Sequence, residues 1–128
     1  MTQNCRSLLL LSVLVFAEGR FLVIEPKGRL AKFASLKQRL RIPISSIVQV
    51  STDKVPKIKG IRLGGTALPP HYAGHFYSID DGKIFYVLSN RDKCITIKTK
   101  DFQYSEIVVQ VDDKERTAEL IRKSCAAQ

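Results

Sequence analysis

Tryptophan is absent from this chain of 128 residues, and aromatic residues make up only 8% of it. That excludes an aromatic-rich binding surface, while an apolar content of 45% excludes a disordered chain. Cysteine is scarce as well: Cys5, Cys94 and Cys125 lie far apart with no C-x-x-C spacing. So odd and scattered a set supports neither a disulfide framework nor a structural zinc site. No apolar run approaches the ~20 residues that a membrane helix needs. The sequence also lacks the G-x-S-x-G elbow, the P-loop, H-E-x-x-H and G-x-G-x-x-G. The reading is a non-enzyme, with no catalytic residue, no metal site and no cofactor expected.

What is present is the size of one ordinary domain with a strong excess of positive charge. Net charge is +9, and residues 18–62 hold eleven Lys and Arg against Glu18, Glu25 and Asp53, so +8 of the total sits there. Such a half attracts anionic surfaces through its long-range field. Nucleic acid is disfavoured as the partner, because the basic region offers only Phe21 and Phe33 for base stacking, both inside apolar runs. Anionic lipid headgroups or an acidic protein are the partners that remain.

The head of the chain, residues 1–19, stands apart. Arg6 precedes the apolar SLLLLSVLVFA of residues 7–17, and Glu18-Gly19-Arg20 follows. Three readings are open: a secretory signal cut after Ala17, the remnant of a membrane helix, or an extra strand. They correspond to an exported protein, a membrane-associated one or a cytoplasmic one.

From residue 20 to residue 126 the pattern is of short strands between turn signals. Candidate strands are RFLVIE (20–25), RLAKFA (29–34), QRLRI (38–42), SSIVQVS (45–51), HFYSI (75–79), KIFYVLS (83–89), CITIKT (94–99) and FQYSEIVVQV (102–111), the last bulged near Ser105. Asp81-Gly82 between two such runs is a strong hairpin signal. STDKVPKIKG (51–60) is charged, contains Pro56 and closes on Gly60, so it reads as a loop. At the end, Asp112 followed by Glu115 suggests a capping box, and Ala118, Ile121 and Cys125 recur on one helical face. The expectation is a mainly β fold of about seven antiparallel strands with one C-terminal amphipathic α-helix.

The stretches IPISSIVQV, IRLGGTALPPHYAGHF, DDGKIFYVLSNRDKCITIKTKDFQY and VDDKERTAELI together resemble the bacterial and archaeal pleckstrin-homology-like (PH-like) domain family. The resemblance covers roughly residues 20–124, and its most specific elements are Gly64-Gly65-Thr66 and Gly74-x-Phe76. It implies a strongly bent β sandwich or partly open barrel closed by the helix. It also implies a binding or scaffolding role near a membrane, without catalysis. The chain departs from the family pattern at Leu120 and Ile121 and in its basic first half.

Three local clusters carry residue types capable of chemistry. His71 and His75 are spaced i, i+4, but Pro69, Pro70 and Gly74 make a helix there improbable, and in extended chain the rings would stand about 13 Å apart. Asp80-Asp81 and Asp112-Asp113 are explained by turn and cap chemistry. Gly60, Gly64 and Gly65 beside Lys57, Lys59 and Arg62 fit either an anion-binding nest or a bulge where the sheet bends. The expected ligand-contact residues are Lys54, Lys57, Lys59 and Arg62, supported by Arg39 and Arg41. The alternative function is a self-assembling module, a homo-oligomer that pairs exposed strand edges.

Overall fold

A computed structural model describes residues 13–26, 40–68 and 71–127. Three strands form one sheet in the order β1-β2-β3: β1 (Val13–Glu18), β2 (Phe21–Pro26) and β3 (Leu40–Pro43), all antiparallel. Six more form a second sheet: β4 (Ile47–Ser51), β5 (Ile61–Leu68), β6 (His71–Ser78), β7 (Gly82–Leu88), β8 (Cys94–Thr99) and β9 (Glu106–Gln110). Their spatial order is β4-β8-β9-β7-β6-β5. One helix, α1 (Lys114–Ala126), follows.

The expectation of a mainly β fold with a C-terminal helix holds, while that of about seven antiparallel strands in a bent sandwich or partly open barrel is corrected in three details. Nine strands are present among the described residues, the two sheets are not closed into a barrel, and β7 and β9 run parallel. The parallel pair arises because β8 lies one place beyond β9, so β9 enters the gap between β7 and β8 and hydrogen-bonds to both. The glycine-rich stretch contains β5 and most of β6, which pair in register from Leu68↔His71 to Ile61↔Tyr77, and the bulge expected at its glycines falls between Arg62 and Gly64. Residues 29–34, expected as a strand, lie outside the described residues.

Two cores explain the sequence pattern. Leu22, Ile24 and Ile42 of the small sheet meet Phe85, Val87, Ile95, Ile97, Ile107 and Val109 of the large one, with Ile121 of α1 completing that layer. On the other face of the large sheet Phe76, Ile84, Tyr86, Leu88 and Val108 pack with Val55. Strands β7 and β9 are therefore covered on both faces, which is why KIFYVLS and EIVVQV read as near-continuous apolar runs. Buried Gln110 at the end of β9 accepts from Ser89 N (2.7 Å) and Asn90 N (2.8 Å), satisfying two donors where β7 ends.

The Asp-Gly turn forms as expected, with Ser78↔Gly82 the last pair of the β6–β7 hairpin and Gly82 at φ +80°. At the helix the cap is displaced by one residue. Asp113, not Asp112, accepts from Arg116 N at 3.1 Å, and Glu115 sits in the first turn, where a carboxylate suits the helix dipole. Ala118 and Ile121 are buried and Cys125 packs beside them. Strand β1 comes from the second half of the apolar head: Val13 is buried and Val15 packs against the core, while residues 1–12 lie outside the described residues. No helix among the described residues is long and apolar enough to cross a membrane.

Candidate functional site

The segment between β4 and β5, residues 52–60, is pinned across the outer face of the large sheet. Val55 turns inward as its anchor, and Ile58 packs beside the same apolar layer. Val55 N donates to Arg91 O (3.2 Å), and the Arg91 guanidinium donates to Pro56 O. Lys59 N donates to the Tyr86 phenol oxygen (3.1 Å). Gly60 closes the segment at φ +77°, where an added Cβ would lie 2.2 Å from Tyr77 O. So close an approach admits glycine alone.

Between this segment and the sheet lies a cavity of about 240 Å³. Cross-strand register builds its floor. One row runs Gln49–Lys98–Glu106 and the next Ser51–Thr96–Val108–Tyr86 across β4, β8, β9 and β7, and all seven side chains line the space. Asp53, Lys54, Val55, Pro56, Lys57 and Lys59 form the opposite wall.

Lys59 holds the arrangement together. Its ammonium lies 3.3 Å from Glu106 Oε1 and 3.3 Å from Asp81 Oδ2, tying the segment to β9 and to the β6–β7 turn at once. Glu106 is only 7% exposed, so without this partner a carboxylate would be left buried and unpaired. Burial pushes the Lys59 ammonium down, but Glu106 and Asp81 outweigh it and hold the group above the usual lysine value. Burial also pushes the Tyr86 phenol up, against the Lys59 N–H that favours its anion.

The six expected contact residues are distributed unevenly. Lys54, Lys57 and Lys59 come together on the pinned segment, Lys54 leaning toward Asp92 at 3.8 Å and Lys57 exposed. Arg62 lies on β5 and folds back to donate to Gly65 O at 3.0 Å. Arg41 belongs to the other sheet, its guanidinium 4.6 Å from the centre of the Phe21 ring and 3.9 Å from Glu18. Arg39 lies outside the described residues. Sequence reading missed Lys98, Thr96, Ser51, Gln49, Tyr86 and Glu106. The alternation of CITIKT does put Thr96 and Lys98 on one face, but nothing in the sequence says that β4 and β9 flank that strand.

The other chemical candidates have structural partners. His71 Nδ1 is 2.7 Å from Ser89 Oγ. His75 stacks on Tyr104 with ring centres 5.4 Å apart and shares a hydrogen bond with its hydroxyl. Among the described residues no group of three His, Cys, Asp or Glu is placed to hold a metal ion. Gly64 and Gly65 lie within β5, at and just past its bulge, rather than in an anion nest. Cys94 is buried, its thiol pushed up to about 12 by burial and donating to Asn90 O at 3.3 Å.

Two packed sheets, a C-terminal helix and a polar cavity under a basic segment define a mainly β module with a site suited to binding. The chain belongs to the bacterial PH domain family: the family model described as bacterial PH domain matches residues 27–109. The match takes in the whole of the 52–60 segment and leaves β1, β2 and α1 outside it. Binding without catalysis is the general role of such domains. Neither the curated proteins nor the solved structures compared gave a match.

Proposed function

We propose that this chain is a non-catalytic binding module that acts at or near a membrane and meets anionic lipid headgroups through its 52–60 segment. The observation that carries this reading is the gathering of Lys54, Lys57 and Lys59 on one pinned segment with Lys98 beneath it. Each lysine near an anionic leaflet contributes on the order of 1 kcal/mol. The roles within the set differ. Lys57 and Lys98 are exposed at the cavity, Lys54 shares its charge with Asp92, Lys59 braces the segment, and Arg62 adds its charge from β5, the next strand in the chain. Arg41 forms a separate contact, since β3 belongs to the other sheet, and Arg39 stays in the proposed set by its charge alone. An acidic protein would satisfy the same charges and is the alternative occupant. Replacing Lys54 and Lys57 by glutamate reverses the charge without touching the core, so it is expected to abolish pelleting with anionic vesicles. Undiminished pelleting of that variant would sink the reading.

A second reading, self-assembly through an exposed strand edge, is favoured by one observation. β5 ends the large sheet, and around it Ile61 (68% exposed), Leu63 (55%), Tyr77 (43%) and Ile79 (91%) leave apolar surface uncovered. Light scattering at high concentration tests it: a monomer counts against it, and an oligomer that Ile61→Lys dissolves supports it.

A further inference from the structure

We propose that the cavity under the 52–60 segment is a binding site for a phosphomonoester, free or carried on a lipid headgroup, held by Lys57 and Lys98 with Ser51, Thr96 and Tyr86 as neutral donors. The proposal deepens the reading of the basic segment as an anion contact, moving it from a diffuse surface to a shaped site.

Space comes first. The cavity, about 240 Å³, is far larger than the ~10–15 Å³ that holds one water, and it opens beside the lysines. Charge comes next. The two carboxylates at the site do not make it a cation site, because Glu106 is matched by Lys59 and Asp53 shares the lining with Lys54, Lys57 and Lys98. Among the described residues no carboxylate lies within ion-pair distance of Lys57 or Lys98, so the positive charge left over sits at the cavity wall and floor.

Donor geometry then selects the kind of anion. Ser51 Oγ accepts from Asp53 N (3.1 Å) and Tyr86 Oη accepts from Lys59 N (3.1 Å), so each hydroxyl keeps its own proton to donate. Thr96 stands between them in the same cross-strand row. A phosphomonoester presents three strong acceptor oxygens and about two negative charges, which several hydroxyls and two ammonium groups can satisfy together. A diester or a carboxylate offers two terminal oxygens and one charge. The Tyr86 phenol, protonated at neutral pH as any tyrosine is, is pushed further up by burial and remains a donor.

The test uses the full chain. Titration with inorganic phosphate and with glycerol phosphate is followed by NMR, and sedimentation is measured with vesicles of phosphatidylcholine doped with phosphatidic acid, a monoester, or with phosphatidylglycerol, a diester. Saturable shifts centred on residues 96–98, weakened at least tenfold by Lys98→Ala and by Thr96→Val and restored by Lys98→Arg, support the proposal for a free ligand. Preference for phosphatidic acid over phosphatidylglycerol, lost in the same two variants, supports it for a headgroup. Equal pelleting on both anionic lipids, unchanged by Lys98→Ala and Thr96→Val but lost in the Lys54→Glu, Lys57→Glu double variant, overturns the pocket and leaves the surface reading standing. Soluble phosphate binding without pelleting on any vesicle keeps the pocket and removes the membrane. Lys98 is exposed, so Lys98→Ala should melt like the wild type, and thermal melting separates binding defects from unfolding.

Discussion

Lys59 and Lys57 are two residues apart and do different work. Lys59→Met strands Glu106, and after allowance for its half-exposed position the loss is about 1–2 kcal/mol by urea denaturation. Lys57→Met, exposed and without an ion pair among the described residues, is expected to stay within about 0.5 kcal/mol. The pH dependence follows the same division. Lys59 is raised above its ordinary 10.5 in the folded protein, so its stabilisation is complete below that pH and is lost as pH climbs through the folded value. The wild type's excess stability over the variant should therefore shrink as pH climbs into the far alkaline range. Cys94 acts earlier: its pKa rises from 9.0 to about 12, so the folded state holds that proton more tightly. Stability should be flat with respect to this thiol below pH 9 and then fall by about 1.4 kcal/mol per pH unit up to 12. Cys94→Ala should flatten that decline, and the native thiol should resist disulfide reagents at neutral pH until the chain is unfolded.

The β5–β6 hairpin shows at the scale of an element why glycines stand where they do. Gly65 and Gly74 face each other in register, and a Cβ on either would lie 2.1 Å from a carbonyl oxygen of the opposite strand. Both have positive φ, +96° and +151°. Gly64 has neither restriction, its nearest neighbour being His75 Cδ2 at 3.7 Å. Gly65→Ala and Gly74→Ala should each lose about 2 kcal/mol or more, and Gly64→Ala should be nearly neutral, as thermal melting would show. The same pair explains why β5 was illegible: LGGTALPP carries turn residues, and the close packing that needs them is visible only once β6 is alongside. Elements with a self-contained signal were readable. The Asp81-Gly82 turn, the alternating CITIKT and the helical spacing of Ala118, Ile121 and Cys125 each depend on neighbours within a few residues. The helix cap differed by one position because Asp112 and Asp113 are both competent caps, and only the path of the chain selects between them.

At the scale of the molecule the sheet order governs what was and was not foreseeable. Lys54, Lys57 and Lys59 were legible as a basic segment, whereas Ser51, Thr96, Lys98 and Glu106 become one floor only through the order β4-β8-β9-β7. That order rests on the parallel β7–β9 pair, for which the chain carries no local signal. Arg41 was grouped with the lysines by charge alone, and the division into two sheets separates it. The division also gives the head of the chain a structural role. β1 borders β2 and contributes buried Val13, so a chain beginning at Glu18 should be less stable by about 2 kcal/mol or more in denaturant titration. An N-terminal sequence of the protein made in cells, beginning at either Met1 or Glu18, decides which form is relevant. The central claim, that the basic segment brings this PH domain to anionic surfaces, meets its most direct test in vesicle sedimentation of the full chain at moderate salt. The prediction is pelleting with vesicles that contain anionic lipid, none with wholly neutral vesicles, and release as salt is raised. Equal pelleting with both kinds of vesicle, or with neither, contradicts it.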